Sequence, residues 1–325
     1  MALNIILNER KLMINYILRR IMQTIAVLIC VSVLIFLMVH MIPGDPARQI
    51  AGMDATEEQV TSIRQNLGLD RPLLIQYLRY MRGIVKGDLG RSLRTRALIS
   101  QELKRRFPYT IILAVFSVFF AGVLGVIFGV FSSVWKYSFF DHFFMMFSLV
   151  GVSIPNFWIG IMMILLFSVK LPLLPSGGVP KSFLSVAGVR YIILPVITLG
   201  WTIVGMVTRL TRSSMLEVIQ QDFIRTAHAK GLPRIKVIFK HALKNAILPV
   251  VTYLGLQFGF CLGGAVITET VFSWPGVGRY LLQGVYDRDY PVIQSTILVF
   301  SCLFVMTNLV IDISYTFIDP RIRYN

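Results

Sequence analysis

Acidic residues are scarce in this chain: 16 Asp and Glu stand against 32 Lys and Arg, a formal charge of +16 over 325 residues. Charged residues of both signs make up only 15%, while 55% are hydrophobic, a balance that points to a membrane protein. The basic residues sit in the connecting segments, so the charge reads as membrane topology and not as nucleic-acid binding. Cysteine is nearly missing as well. Cys30, Cys261 and Cys302 each lie in an apolar run without CxxC spacing, which argues against disulfides and thiolate metal sites and for small buried hydrophobes. No GxxxxGK[ST] stretch occurs, so the chain does not hold ATP by a P-loop. The histidines His40, His142, His228 and His241 lack HExxH spacing, and no serine stands in GxSxG, leaving no catalytic or metal site to name. The apolar runs are nearly free of ionisable residues and show no inverted repeat, which weighs against a proton- or ion-coupled carrier.

The long apolar runs predict an all-α integral membrane protein of six transmembrane helices, over 21–42, 107–134, 143–169, 191–208, 245–268 and 292–311. The first, about 33 Å long as a helix, is enough to cross once. It lacks the short core and small-residue exit of a cleaved signal peptide. Met13 offers a second start, and 1–20 reads as a cytoplasmic segment. Residues 43–106 read as a small helical subdomain outside the membrane. There Thr56 and Gln59 form a capping box, Val60, Ile63 and Leu67 a helical stripe ended by Gly68, and Pro72 begins a second helix to about Val85. Gly87-Asp88-Leu89-Gly90 turns the chain. Residues 107–319 form the membrane core, and 320–325 a tail. Within the core, Gly125-x-x-x-Gly129 allows close helix approach, Pro155 breaks the third span, and Pro195, Gly200 and Gly205 mark the fourth. Even span number and a basic 209–247 loop place both termini inside. The loop Glu269 to Pro291 reads as external and slightly acidic, counting Glu269, Asp287 and Asp289; Lys170, Lys181 and Arg190 are a mild exception on the same side.

The stretch Arg209 to Pro249 stands out. A short helix, Gln221 to Lys230, stops at Gly231, and Pro233 separates it from a second helix over Arg234 to Ile247. On a 3.6-residue wheel Ile235, Ile238, Phe239, Ala242 and Ala246 share one side, and Lys236, Lys240 and Lys244 another. Shape and charge leave two readings open, a headgroup-bound amphipathic hairpin and a docking site for a partner protein. Ser153, Asn156 and Gln257 are polar side chains within the spans. They are candidates for a translocation path or for helix–helix hydrogen bonds.

Arg225-Thr-Ala-His-Ala-Lys-Gly231, followed by His241-Ala-Leu-Lys-Asn-Ala-Ile-Leu-Pro249, resembles the cytoplasmic EAA loop of ABC-importer permeases in its peptide/nickel version. Pro43-Gly-Asp-Pro-Ala47, Leu67-Gly-Leu-Asp-Arg-Pro72, Gly87-Asp-Leu-Gly-Arg-Ser92, Trp274-Pro-Gly-Val-Gly-Arg279, Arg288-Asp-Tyr-Pro-Val-Ile-Gln294 and Asp319-Pro-Arg321 extend the resemblance over the whole chain. It implies a type I importer permease in a bacterial inner membrane, working by alternating access. The implied partners are a sister permease (a heterodimer), two ATP-binding subunits that carry the ATP and Mg, and an external substrate-binding protein. No cofactor, metal or catalytic residue falls to this chain. The coupling role falls on Arg225, Thr226, Ala227, Lys230 and Gly231. Two departures mark the peptide/nickel branch: Arg225 stands where the general motif has an acid, and Lys244 where it has a proline. Leu256-Gln-Phe-Gly-Phe260 and the segment 44–52 look closest to the glutathione and dipeptide members. The implied cargo is a dipeptide, oligopeptide or glutathione, with a nickel or metal-chelate permease as the alternative within the family. A stand-alone channel or carrier is the rival from another class.

Overall fold

A computed structural model describes residues 2–41, 46–52, 54–180 and 185–318. The motifs at 43–45 and 319–321 and Lys181 lie outside the described residues. Two compact units emerge, Met1–Pro108 with Gly276–Asn325, and Tyr109–Pro275. The first unit holds α1 (Ala2–Met41), α2 (Pro46–Ala51), α3 (Glu57–Leu67), α4 (Leu73–Val85) and the start of α5 (Ile99–Val134). The second continues with α6 (Phe139–Ser153), α7 (Asn156–Ile164, extended by the π-helical turn Leu165–Lys170) and α8 (Val186–Ile219). Next come α9 (Asp222–Ala229), α10 (Arg234–Lys236), the π-helical turn Val237–Ala242, α11 (Leu243–Ala246), α12 (Leu248–Gly264) and α13 (Val266–Val271). The chain returns to the first unit for α14 (Val277–Tyr286) and α15 (Tyr290–Ile318).

Four described helices are long and apolar enough to cross a membrane alone: Ile17–Met41, Ile99–Val134, Gly188–Ile219 and Tyr290–Ile311. Two bent helix pairs, Phe139–Ser153 with Asn156–Lys170 at 101° and Arg234–Ala246 with Leu248–Gly263 at 52°, are apolar and long enough when taken together; counted as one span each, they make six among the described residues. The first bend falls where Pro155 removes a backbone donor and holds Ile154 extended at φ −90, ψ 130. Continuous helices also overrun the expected spans. α5 begins at Ile99, with Glu102 pairing Arg105 at 3.2 Å and Arg106 at 2.9 Å in its opening turns.

In the first unit the capping box forms as the sequence requires. Gln59 N–H donates to Thr56 Oγ1 at 3.4 Å, Thr56 N–H donates to Gln59 Oε1 at 3.0 Å, and Gly68 closes α3 in the left-handed region at φ 69. Two of the motifs meet. Ser92 Oγ donates to the buried Asp289 at 2.5 Å, and Ser295 Oγ donates to Leu89 O at 2.8 Å. Beneath them Ile99, Leu103, Val277, Val292 and Phe300 form a core. Tyr280 beside it has its phenol pushed up to about 12, first by burial and then by Asp289 and Glu102, so it stays neutral. These motifs clamp the segment after α4 onto the start of α15.

The second unit is built around α8. Gly200 and Gly205 let it approach α5 and α6: a Cβ on Gly200 would meet Ser117 O at 2.9 Å, and one on Gly205 would meet Ser148 O at 2.5 Å. The Gly125-x-x-x-Gly129 pair does the same from α5, where a Cβ on Gly129 would lie 2.7 Å from Thr208 O and 2.5 Å from Thr211 Cβ. Gly129→Val is therefore expected to lower the stability of the purified protein by about 1–3 kcal/mol through overpacking. Thermal unfolding in detergent checks this, and an unchanged midpoint would refute the close contact.

The acids of the segment Glu269 to Pro291 are taken up in contacts within their own units. Glu269 is fully buried in the second unit, where Thr110 Oγ1 donates to its carboxylate at 2.7 Å. Asp289 is buried too, and Asp287 pairs with Arg94. These carboxylates serve folding contacts. Next to Glu269 the motif residue Trp274 is also fully buried, its indole N–H donating to Tyr109 O at 3.0 Å.

Candidate functional site

The chain leaves α8 through Gln220 and Gln221 and turns at once into α9. Asp222 stands in the first turn, where a carboxylate suits the helix dipole. α9 is only eight residues long, too short to be stable by itself. Ile224 and Ala227 hold it, buried against Val130, Met215, Val218, Val237, Ala242 and Ala246. At its end Lys230 N–H donates to Thr226 O at 3.1 Å, Gly231 N–H to His228 O at 2.9 Å and Leu232 N–H to Ala227 O at 3.4 Å. Gly231 lies at φ +73, the left-handed conformation that ends helices and that glycine takes without strain.

The expected coupling residues divide in two. Arg225, Thr226, Lys230 and Gly231 are exposed, and His228 and Ala229 share that exposed surface. Ala227 faces inward; its smallness lets α9 lie close to its supports. Arg225 pairs with Asp222 at 3.3 Å across one turn, an exposed contact of little energetic weight. Thr226 Oγ1 donates to Asp222 O at 3.0 Å, which leaves its methyl group on the surface. The result is a short, cationic knob with small residues and a tight turn.

The following helix departs from the 3.6-residue wheel. Ala242 and Ala246 are buried and Ile238 partly so, but Ile235 and Phe239 are 73% and 55% exposed, and Val237 takes the inner position. The cause is the π-helical turn Val237–Ala242, whose wider i→i+5 pitch puts Val237 and Ala242 on one face.

Of the path candidates, Ser153 is exposed at the break after α6. Asn156 opens α7, and its Oδ1 accepts from Thr202 Oγ1 of α8 at 2.5 Å, a helix–helix hydrogen bond. Gln257 is half-buried on α12.

A further pair supports the site. Asp141, at the start of α6, accepts from Arg212 Nε and from a second guanidinium nitrogen, both at 2.7 Å. Ser132 Oγ and Tyr137 N–H also donate to the carboxylate, so this buried charge is fully met. Arg212 lies on α8 ten residues before α9 begins. The pair therefore ties α6 to the helix that carries the knob. One signal was available: Asp141 is the only acid between Glu102 and Glu217, and a lone acid among apolar residues calls for a partner.

Four apolar spanning helices, two bent helix pairs and the short exposed helix α9 make this an α-helical membrane protein. Residues 121–324 match the family described as binding-protein-dependent transport system inner membrane component, and residues 13–114 match the N-terminal region of such components. The chain belongs to this family of multi-pass inner-membrane transport permeases. It is 44% identical over 312 residues to the glutathione transport system permease protein GsiC of Escherichia coli K12, covering 96% of this chain and 100% of that one. Identity to the Salmonella typhimurium protein of the same name is 43% over the same shares. Among solved structures, one titled as inward-facing conformations of the MetNI methionine ABC transporter matches with a TM-score of 0.54. It is 17% identical and covers 67% of this chain and 96% of that one. At that identity it shows the fold alone, that of a type I ABC importer permease.

Proposed function

We propose that this chain is one of two permease halves of an ATP-driven importer for short peptides, with glutathione as the first candidate. The observation that carries this reading is the identity of 43–44%, end to end, to permeases named for glutathione transport. In this reading both termini and the loop 209–247 are cytoplasmic, and residues 43–106 lie outside. A sister permease completes the path, and an external binding protein delivers the cargo. Of the two ATP-binding subunits, one grips the α9 knob of this chain through Arg225, Thr226, Lys230 and Gly231, with Ala227 as the spacer beneath, and the other grips the corresponding loop of the sister permease. ATP and Mg sit on those subunits and not here. Their closure draws the two knobs together and rocks the spans, exposing the path to each side in turn. Ser153, Asn156 and Gln257 are its candidate lining residues.

The test begins with a tagged chain in mild detergent from native membranes, identification of what co-purifies, and reconstitution in liposomes. A sister permease and ATPases are expected to accompany it, with glutathione-loaded binding protein raising ATP hydrolysis and driving uptake of labelled glutathione. Dipeptide uptake without glutathione uptake would move the cargo within the class. Recovery of the chain alone after cross-linking in intact cells, or solute flux without ATPase subunits, would overturn the reading.

A further inference from the structure

Helix α4 carries three distinct faces. Gln76, Tyr77 and Tyr80 turn toward α1: Tyr77 OH lies 2.8 Å from Ser32 Oγ, Gln76 Oε1 lies 3.2 Å from His40 Nε2, and the Tyr77 and Tyr80 rings stand 5.4 and 6.2 Å from that of Phe36. A second face is apolar and uncovered. Leu74, Leu78 and Val85 are 68%, 58% and 82% exposed, and at 3.6 residues per turn they fall within about 40° of one another. Arg82 is exposed beside that strip, and the exposed Arg71 and Lys86 stand just before and just after the helix. The helix thus has a braced side and an oily edge, with cations beside it and at both its ends.

Depth on α1 decides what covers the oily edge. The span Ile17–Met41 ends at Met41, and Ser32 lies nine residues earlier, about 14 Å down the helix axis. A bilayer's hydrocarbon core is about 30 Å thick, so the contacts of α4 run over a depth comparable with one leaflet. Around them α1 itself shows bare Leu34, Leu37 and Met38, as a span does where it meets acyl chains. An uncovered apolar edge with cations beside it, braced at that depth, is the layout of an interfacial helix.

We propose that α4 is a membrane-interface helix. Leu74, Leu78 and Val85 enter the leaflet in which α1 ends, and Arg71, Arg82 and Lys86 engage phospholipid phosphates. The polar region after α1 is then only partly extramembrane, contrary to the expectation from sequence, and α4 moors it to the bilayer. This holds for any cargo.

The full chain with Cys30, Cys261 and Cys302 replaced by alanine, reconstituted with its partners in lipid nanodiscs, allows the test. An environment-sensitive fluorophore is placed on Leu74→Cys, Leu78→Cys or Val85→Cys, with Glu58→Cys on α3 as the exposed reference. Doxyl-labelled phospholipid is expected to quench the three α4 probes at least twofold more than the reference, and aqueous iodide at least twofold less. Iodide quenching equal to the reference would overturn the proposal in favour of water. Protection from both quenchers would overturn it in favour of a protein cover such as the sister subunit. The unmodified chain gives an independent reading: a photoactivatable phospholipid is expected to mark peptides from 73–85, and their absence among labelled peptides would count against the proposal.

Discussion

Arg212→Leu is expected to destabilise the purified protein by about 3–5 kcal/mol, because it leaves the buried Asp141 carboxylate without its counter-charge. For a unit of this size that corresponds to a fall of roughly 10 °C in the unfolding midpoint. Asp141→Leu should cost less. The Arg212 side chain keeps 21% exposure against 5% for Asp141, so water can reach the orphaned guanidinium more easily. The pair Asp141→Asn with Arg212→Gln removes both charges and keeps hydrogen-bonding groups in place. It should recover most of the midpoint, as neutral replacements of buried ion pairs commonly do. Transport separates support from coupling. If the bridge passes motion from α9 to α6, the double variant will be stable yet hydrolyse more ATP per cargo moved. A double variant as unstable as Arg212→Leu would show that the bidentate geometry, and not charge balance, sets the contribution.

Gly231→Leu is expected to abolish ATP-driven uptake while leaving the protein in the membrane. The chain itself has room, since a Cβ at Gly231 would meet nothing within 4 Å. The local cost is the left-handed backbone at φ +73, roughly 1–2 kcal/mol for a residue with a Cβ. The remaining effect falls on whatever receives the knob. Loss of about 1.4 kcal/mol of docking energy already weakens association tenfold, and a leucine held against a close-fitting groove costs at least that. Gly231→Asn separates the two terms, because asparagine tolerates the left-handed region. It should retain the turn and near-normal membrane levels, with uptake between glycine and leucine. Uptake at the glycine level by the leucine variant would refute the docking role of this surface.

Much of the architecture was legible because it is local. Thr56, Gln59, Gly68 and Pro72 act on their own neighbours, so their helices begin and end where the residues dictate. The Gly125-x-x-x-Gly129 spacing announced a close approach without naming its partner, which proved to be α8 at Thr208 and Thr211. The knob was readable as a helix ended by Gly231, because a stop signal and the proline after it are local too. What escaped were pairings across distance and a change of pitch. Asp141 meets Arg212 across 71 positions, and no periodicity connects them. Glu269 reads as a loop acid beside polar neighbours until Thr110 is seen above it. Ile235 and Phe239 were misplaced because a wheel assumes 3.6 residues per turn, and nothing local announces a π-helical turn. Ala227 belonged to the motif, but which side of an eight-residue helix faces its supports depends on Met215, Val218 and Val237 from elsewhere.

The length of α8 has a mechanical consequence. Its 34 residues make a rod about 51 Å long, with α9 joined to one end through two residues. Glycines at 200 and 205 seat it against its neighbours near the middle, which makes that region a fulcrum. A tilt of about 5° about such a point moves each end by about 2 Å, since half the rod is roughly 25 Å. A pull of a few ångströms on α9 would then reappear beyond the fulcrum with the opposite sense, as far as Pro195 inside α8 lets the helix act as one piece. Leverage of this kind needs a tight seat at Gly200 and Gly205 and an unbroken helix from there to α9, which α8 has over 196–219.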